Sequence, residues 1–288
     1  MVSIDEPNVL PMSFNPSHLG FKTIASTSVL TLLALLSLSI HIIVRVFIHK
    51  NIAFDDFLTV LAFAISLSLV GKTIWCVAVE GWGEHVANVT HTHLEMIAKS
   101  LLVDEELWSF VNTLIRASGL IFSIKMISEH RLARAVATYA LIFSILHGLS
   151  TLIVGALICR PLNAAWDSSI KGACINQTAS FISLEAIGLA IDIMILSIPL
   201  FVFARLDKRL REKCGTLIMF SVGTLVTIIT GLRIASLHRI RSLDLTYDQA
   251  YLGLLSTLGA LISIIATCIP SFPCAYRYAW EKYSNSRA

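Results

Sequence analysis

The chain has 288 residues, of which 56% are hydrophobic and only 14% charged, with a formal net charge of +3. An ordinary soluble domain is about 25% charged, and the mean hydropathy here is +0.76. These values exclude a soluble enzyme and a disordered scaffold, and no dense basic patch marks a nucleic-acid groove.

The chain opens with Met1–Gly20, which carries Asp5, Glu6, Pro7, Pro11 and Pro16 and no basic region leading into an apolar core. Residues 1–22 are therefore expected to form an exposed luminal tail and not a cleaved signal peptide. Seven apolar stretches follow: Ile24–Phe47, Phe57–Val79, Leu101–Met126, Leu132–Ile158, Phe181–Ala204, Gly215–Leu237 and Ala250–Ile269. A membrane helix needs about 20 apolar residues, and each stretch meets that length. Several are rich in Ile, Val and Thr, poor helix formers in water. In lipid, every backbone polar group must be satisfied within the segment, which leaves helix as the expected state. The expected fold is an all-α, polytopic membrane protein with seven transmembrane helices over residues 23–275 and a short cytosolic tail over residues 276–288. Its solvent is membrane lipid, either the plasma membrane or an endomembrane.

Lys and Arg set the orientation. Arg45, Lys50, Lys125, Arg131, Arg134 and the run Arg205–Lys213 fall on one side, together with Arg277, Lys282 and Arg287. That side is expected to be cytosolic, with the N-terminus luminal or extracellular. The sequons at Asn88 and Asn176 both fall in expected luminal loops and are candidate glycosylation sites. Cys159 and Cys174 bracket Arg160–Ala173 on the same side, where an oxidising compartment favours a disulfide; two unpaired thiols are the alternative. His85, His91 and His93 share a loop with Glu84 and Glu95. His-x-His suits zinc or copper, but no further ligand stands at fixed spacing, so a solvated loop and no metal are expected. The segment Val86–Ser100 fits a short interfacial helix and a plain loop equally well.

The order of motifs resembles the fungal rhodopsin-domain membrane proteins, which include the satratoxin-cluster type and the Pth-type receptor-like proteins. The resemblance rests on Asp55-Asp56 opening the second span and on Gly81-Trp82-Gly83-Glu84-His85 after it. It continues through Cys159-Arg160-Pro161…Ala165-Trp166-Asp167, Gly172-Ala173-Cys174-Ile175-Asn176, Asp192 with Pro199, Arg233, and Asp244-Leu245-Thr246-Tyr247. It covers residues 22–275 and implies a seven-helix fold without implying a reaction. Gly188 stands where the family often has Asn, Arg116 where it has Lys, and Leu255 and Gly259 where it often has Trp and Glu.

Ionisable groups inside membrane spans are costly and mark functional sites by default. The third span carries Arg116 near its centre and Asp104, Glu105 and Glu106 near one end. The fifth carries Glu185 and Asp192, seven residues apart and so on one helix face. The sixth carries Arg233 and the second Lys72, both at the depth of Glu185. Matched depth predicts that Arg116 pairs with Asp192, and Glu185 with Arg233 or Lys72. Such pairs serve either to fix helix register or to furnish a polar pocket on the luminal side. That pocket would be formed by Lys72, Trp75, Glu105, Trp108, Arg116, Glu185, Asp192 and Arg233, with Tyr251 as a further wall. A pocket with apolar walls and few polar groups suits a lipophilic small molecule.

Retinal is excluded as a partner because Ala250–Ile269 holds no Schiff-base lysine. No other cofactor motif is present: there is no P-loop, dinucleotide fingerprint or His-Glu-x-x-His. The expected function is handling or binding of a lipophilic small molecule within a fungal secondary-metabolite pathway. One alternative is a receptor-like sensor signalling to the cytosol. The other is a membrane-embedded cyclase or isomerase, with Glu185 or Asp192 as general acid or base held by Arg233 or Arg116.

Overall fold

A computed structural model describes residues 18–80, 82, 91–127, 131–167, 169–204, 210–239 and 245–285. Its helices are α1 (His18–Ile43), α2 (Phe54–Trp75), α3 (His91–Met126), α4 (Arg131–Ala156), α5 (Gln177–Ala204), α6 (Leu210–Arg239), α7 (Leu245–Cys268) and α8 (Phe272–Asn285). The first two run on as π-helical turns, to His49 and Glu80. Seven of the helices are long and apolar enough to cross a membrane. The protein is a multi-pass membrane protein.

Neighbours in sequence are neighbours in space: each of α1 to α6 packs on the next, and α1 packs back on α7. α7 also touches α2 and α3, and it is the most deeply buried span. Side chains on the outer faces, such as Leu32 and Leu36 on α1 and Phe143 and Ile153 on α4, are exposed to the surround, as lipid-facing positions should be. No hydrophobic drive separates helix from lipid, so close approach depends on small residues. On α4 these are Ala137, Ala140, Ser144, Gly148, Thr151 and Gly155, all buried and spaced three and four apart. At Gly148 a Cβ would overlap Thr113, and at Gly155 it would overlap Glu106, so α3 and α4 meet at the distance that glycine permits.

Three boundaries differ from the hydropathy reading. Residues 91–100 form neither a separate interfacial helix nor a loop; they are the first turns of α3. That helix runs 36 residues without a proline. Its extension is held by tertiary contacts: Ile97 is fully buried beside Trp82 and Cys76, and Gln249 donates to the Ile97 carbonyl at 2.9 Å. Residues 210–213, expected in a cytosolic loop, begin α6. The expected C-terminal tail is helical to Asn285. Tyr276, Trp280 and Tyr283 recur at helical spacing on α8 and are exposed, which fits a membrane–water interface.

Between α4 and α5 the chain forms a two-residue hairpin, β1 (Cys159–Arg160) antiparallel to β2 (Ala173–Cys174). Cys159 lies directly opposite Cys174, and the two are joined by a disulfide. This end of the bundle is called the disulfide side below. The Asn176 side-chain oxygen accepts the Ala179 N–H at 3.2 Å and caps α5, and the residue is exposed. Asn88, His85 and the loop around them lie outside the described residues. At the opposite end Lys50 turns the chain from α1 to α2 in a left-handed conformation (φ 50°).

Candidate functional site

Charged side chains inside the bundle fall into three layers. The layer nearest the disulfide side links five helices. Lys72 of α2 pairs with Asp104 of α3 at 2.6 Å and donates to the Ser100 carbonyl at 3.2 Å. Ser256 of α7 donates to the other Asp104 oxygen at 2.9 Å and contacts Arg233 of α6. Arg233 is fully buried. It donates to both Glu105 oxygens at 2.9 and 3.0 Å and to Glu185 of α5 at 3.3 Å. Its guanidinium stacks 4.3 Å from the centre of the Trp108 ring. The ring has room because the facing residue of α7 is Gly259, where a Cβ would meet it.

Arg116 and Asp192 form the middle layer. The contact is bidentate, Nε to Oδ1 at 2.7 Å and Nη2 to Oδ2 at 2.8 Å, and Nη2 also donates to the Gly188 carbonyl at 3.1 Å. A planar guanidinium suits this two-point contact. The absence of a side chain at Gly188 lets Arg116 and His147 lie close against α5.

The third layer lies at the end away from the disulfide. Asp55 accepts from Arg45 at 2.9 Å and pairs with Lys125. Asp56 accepts from Arg45 at 3.0 Å and from the Ala53 N–H at 2.8 Å. Its Oδ1 lies 2.9 Å from His41 Nε2, and His41 Nδ1 lies 2.7 Å from Ser271. This layer ties α1, α2 and α3 to the turn between α7 and α8. Sequence reasoning used Asp55-Asp56 only as a motif and Arg45 and Lys125 only as orientation markers. Matching their depth against one another, as was done for Arg116 and Asp192, would have found the cluster.

Two cavities flank the middle layer. The first, toward the disulfide side, measures about 20 Å³ and is lined by Glu105, Glu106, Trp108, Arg116, His147 and Glu185 among others. That is room for about one water. Glu106 Oε2 and His147 Nδ1 are buried in this region without a partner among the described residues. The second, between the middle and third layers, measures about 230 Å³. Its walls are Ile115, Phe122, Ile195, Leu196 and Val226, with Gly119 opening space between them and Gly223 packed against Leu196. Arg116 and Asp192 lie at one end, and His41, Arg45, Asp55 and Asp56 at the other.

The structure therefore brings together Lys72, Glu105, Trp108, Glu185 and Arg233 in one network and Arg116 with Asp192 in another. Lys72 pairs with Asp104 where Glu185 was one expected partner. Trp75 is 60% exposed on the outer surface, and neither it nor Tyr251 lines these two cavities. The larger space lies on the far side of Arg116 from the pocket that the sequence suggested. Side chains of the network fill most of the disulfide-side region.

Fold and interior together define a seven-helix integral membrane protein with layered charges in its interior and an apolar cavity between two of those layers. The chain belongs to the fungal rhodopsin domain family, whose model matches residues 40–277. It is similar to a SAT4 family membrane protein of Emericella nidulans, 25% identical over 205 residues that cover 70% of this chain and 52% of that protein. It is also similar to Fugralins biosynthesis cluster protein 2 of Gibberella zeae, 23% identical over 236 residues, 80% of this chain and 59% of that protein. The chain thus spans between half and three-fifths of the length of these relatives.

Proposed function

We propose that this protein binds a lipophilic small molecule within its helical bundle and serves a fungal secondary-metabolite pathway. The observation that carries the reading is the 230 Å³ cavity with apolar walls and charged ends, the composition typical of small-molecule sites. A relative named for a biosynthesis cluster supports the pathway assignment. The disulfide side is assigned to the lumen, which leaves Asn176 open to glycosylation and opens the cavity region toward the cytosol.

The acid–base alternative is weaker on geometry. Asp192 borders the cavity but both its oxygens accept from Arg116, and Glu185 borders only the space with room for about one water. The receptor alternative uses the same cavity and differs in output.

Gly119 supplies the test. It lines the cavity, and a Cβ built on it has nothing within 4 Å. The Gly119→Phe side chain therefore starts into open space and reduces the cavity. The gene is deleted in its host and small metabolites are profiled by mass spectrometry, with complementation by wild type and by Gly119→Phe. The expected result is an altered profile that wild type restores and Gly119→Phe does not, at equal membrane abundance. Full rescue by Gly119→Phe refutes the cavity reading. An unchanged profile in the deletion strain refutes the pathway role and leaves sensing as the use of the site.

A further inference from the structure

The charge and hydrogen-bond state of the cavity lining narrows the ligand to one chemical class. Among the described residues, the charges at its two ends balance once Lys125 is counted, which pairs with Asp55 from outside the lining: Arg45 and Lys125 against Asp55 and Asp56, and Arg116 against Asp192. His41 faces Asp56 and Ser271 at the same end. Every cation there already has its carboxylate. A charged ligand would bring a net charge into a low-dielectric interior, which costs several kcal/mol unless it is paired.

The hydroxyls that line the cavity are also committed. Thr227 donates to the Gly223 carbonyl at 2.9 Å, Thr267 to Ile264 at 2.8 Å, Ser123 to Gly119 at 2.7 Å and Ser118 to Asp55 at 2.9 Å. Each spends its single proton on a helix carbonyl and keeps oxygen lone pairs. Ser263 is the exception, with no partner among the described residues. Those hydroxyls therefore offer lone pairs and not protons, and the N–H donors of the lining belong to Arg45, Arg116 and Asn112. In size, 230 Å³ compares with about 150 Å³ for an engineered cavity that binds benzene, so a fused two-ring skeleton fits.

Resting on the small-molecule reading above, we propose that the cavity selects a neutral, mainly apolar molecule of about two fused rings that bears a hydroxyl donor, and rejects its anionic counterpart.

The test uses three matched probes: β-naphthol, its methyl ether and β-naphthoate. Each is measured by equilibrium dialysis against the full chain in nanodiscs and against empty nanodiscs. Gly119→Phe and the smaller Gly119→Leu serve as blocked cavities, each checked for monodisperse elution. We expect β-naphthol to bind about fivefold more tightly than the ether, the worth of one net hydrogen bond. It should exceed β-naphthoate by about a hundredfold. Binding should be lost in whichever blocked variant elutes as wild type. If β-naphthoate binds as well as β-naphthol, neutrality is refuted. If the ether matches β-naphthol, the hydroxyl requirement is refuted. In both cases the binding cavity stands. If no probe shows binding that the Gly119 variants remove, the cavity reading itself falls.

Discussion

Replacing Arg233 with methionine should destabilise the protein by about 3–5 kcal/mol, of which stranded charge should supply about 1–3 kcal/mol. Arg233 is completely buried and donates three hydrogen bonds to Glu105 and Glu185. Hydrogen bonds between membrane helices average about 0.6 kcal/mol each, so these three account for about 2 kcal/mol. Removing one member of a buried ion pair costs about 3–5 kcal/mol, because the other is left uncompensated. Here two carboxylates on α3 and α5 lose their shared cation at once. Methionine retains much of the volume and packs adaptably, so a new void beside Trp108 adds little. The charge effect can be isolated. In the double variant Arg233→Met with Glu105→Gln, one stranded carboxylate becomes neutral although a further native partner is gone. The double variant should therefore recover part of the single variant's loss. The assay is reversible unfolding in mixed micelles, followed by tryptophan fluorescence and circular dichroism. A single variant within about 1 kcal/mol of wild type, or a double variant as unstable as the sum of its parts, refutes the argument.

Further outcomes follow from the same geometry. Asp192→Asn leaves the Arg116 charge uncompensated at the end of the large cavity, with the Gly188 carbonyl and one amide oxygen as neutral acceptors; β-naphthoate should then overtake β-naphthol in the dialysis measurement, and an unchanged ranking would count against charge balance as the selector. Gly119→Ala should stabilise α3 by about 0.5–1 kcal/mol, since it meets open space and alanine is the better helix former. Gly259→Ala presses on Trp108 and Ile229 and should cost about 1–3 kcal/mol; equal effects in unfolding would contradict the packing described. Peptide mapping without reductant should find Cys159 linked to Cys174, with Cys76, Cys268 and Cys274 alkylated as thiols outside any disulfide. Replacing both linked cysteines by serine should lower stability by up to about 3 kcal/mol, the scale for a loop of this length.

Much of the polar interior was legible from depth alone. Arg116 and Asp192 both lie mid-span, and an unpaired charge there is so unfavourable that pairing was the expected outcome. Arg233 and Glu185 were matched in the same way. Depth does not specify rotation about the helix axis, however. Lys72 had carboxylates near its level on both α3 and α5, and the structure gives it Asp104 because α2 packs on α3 and not on α5. Glu105, one residue further along, points instead to Arg233. Consecutive helical residues are turned by about 100°, so Asp104 and Glu105 serve different neighbours. The extension of α3 back to His91 and the helix α8 were hidden for a related reason. Neither raises hydropathy enough to mark a span, and both are defined by contacts or by an amphipathic surface.

The sequence by itself determined that the chain crosses a membrane as seven helices, and it located the charges that must pair inside. Transfer of apolar side chains into lipid depends on runs along the chain, and each residue contributes nearly independently of its neighbours in space. The position and size of the cavity were decided only by tertiary structure. A void is the difference between packed surfaces: Gly119 opens toward it, whereas Gly223 is taken up by close approach to Leu196. Identical residues thus have opposite effects on the space, according to which helix face each one occupies.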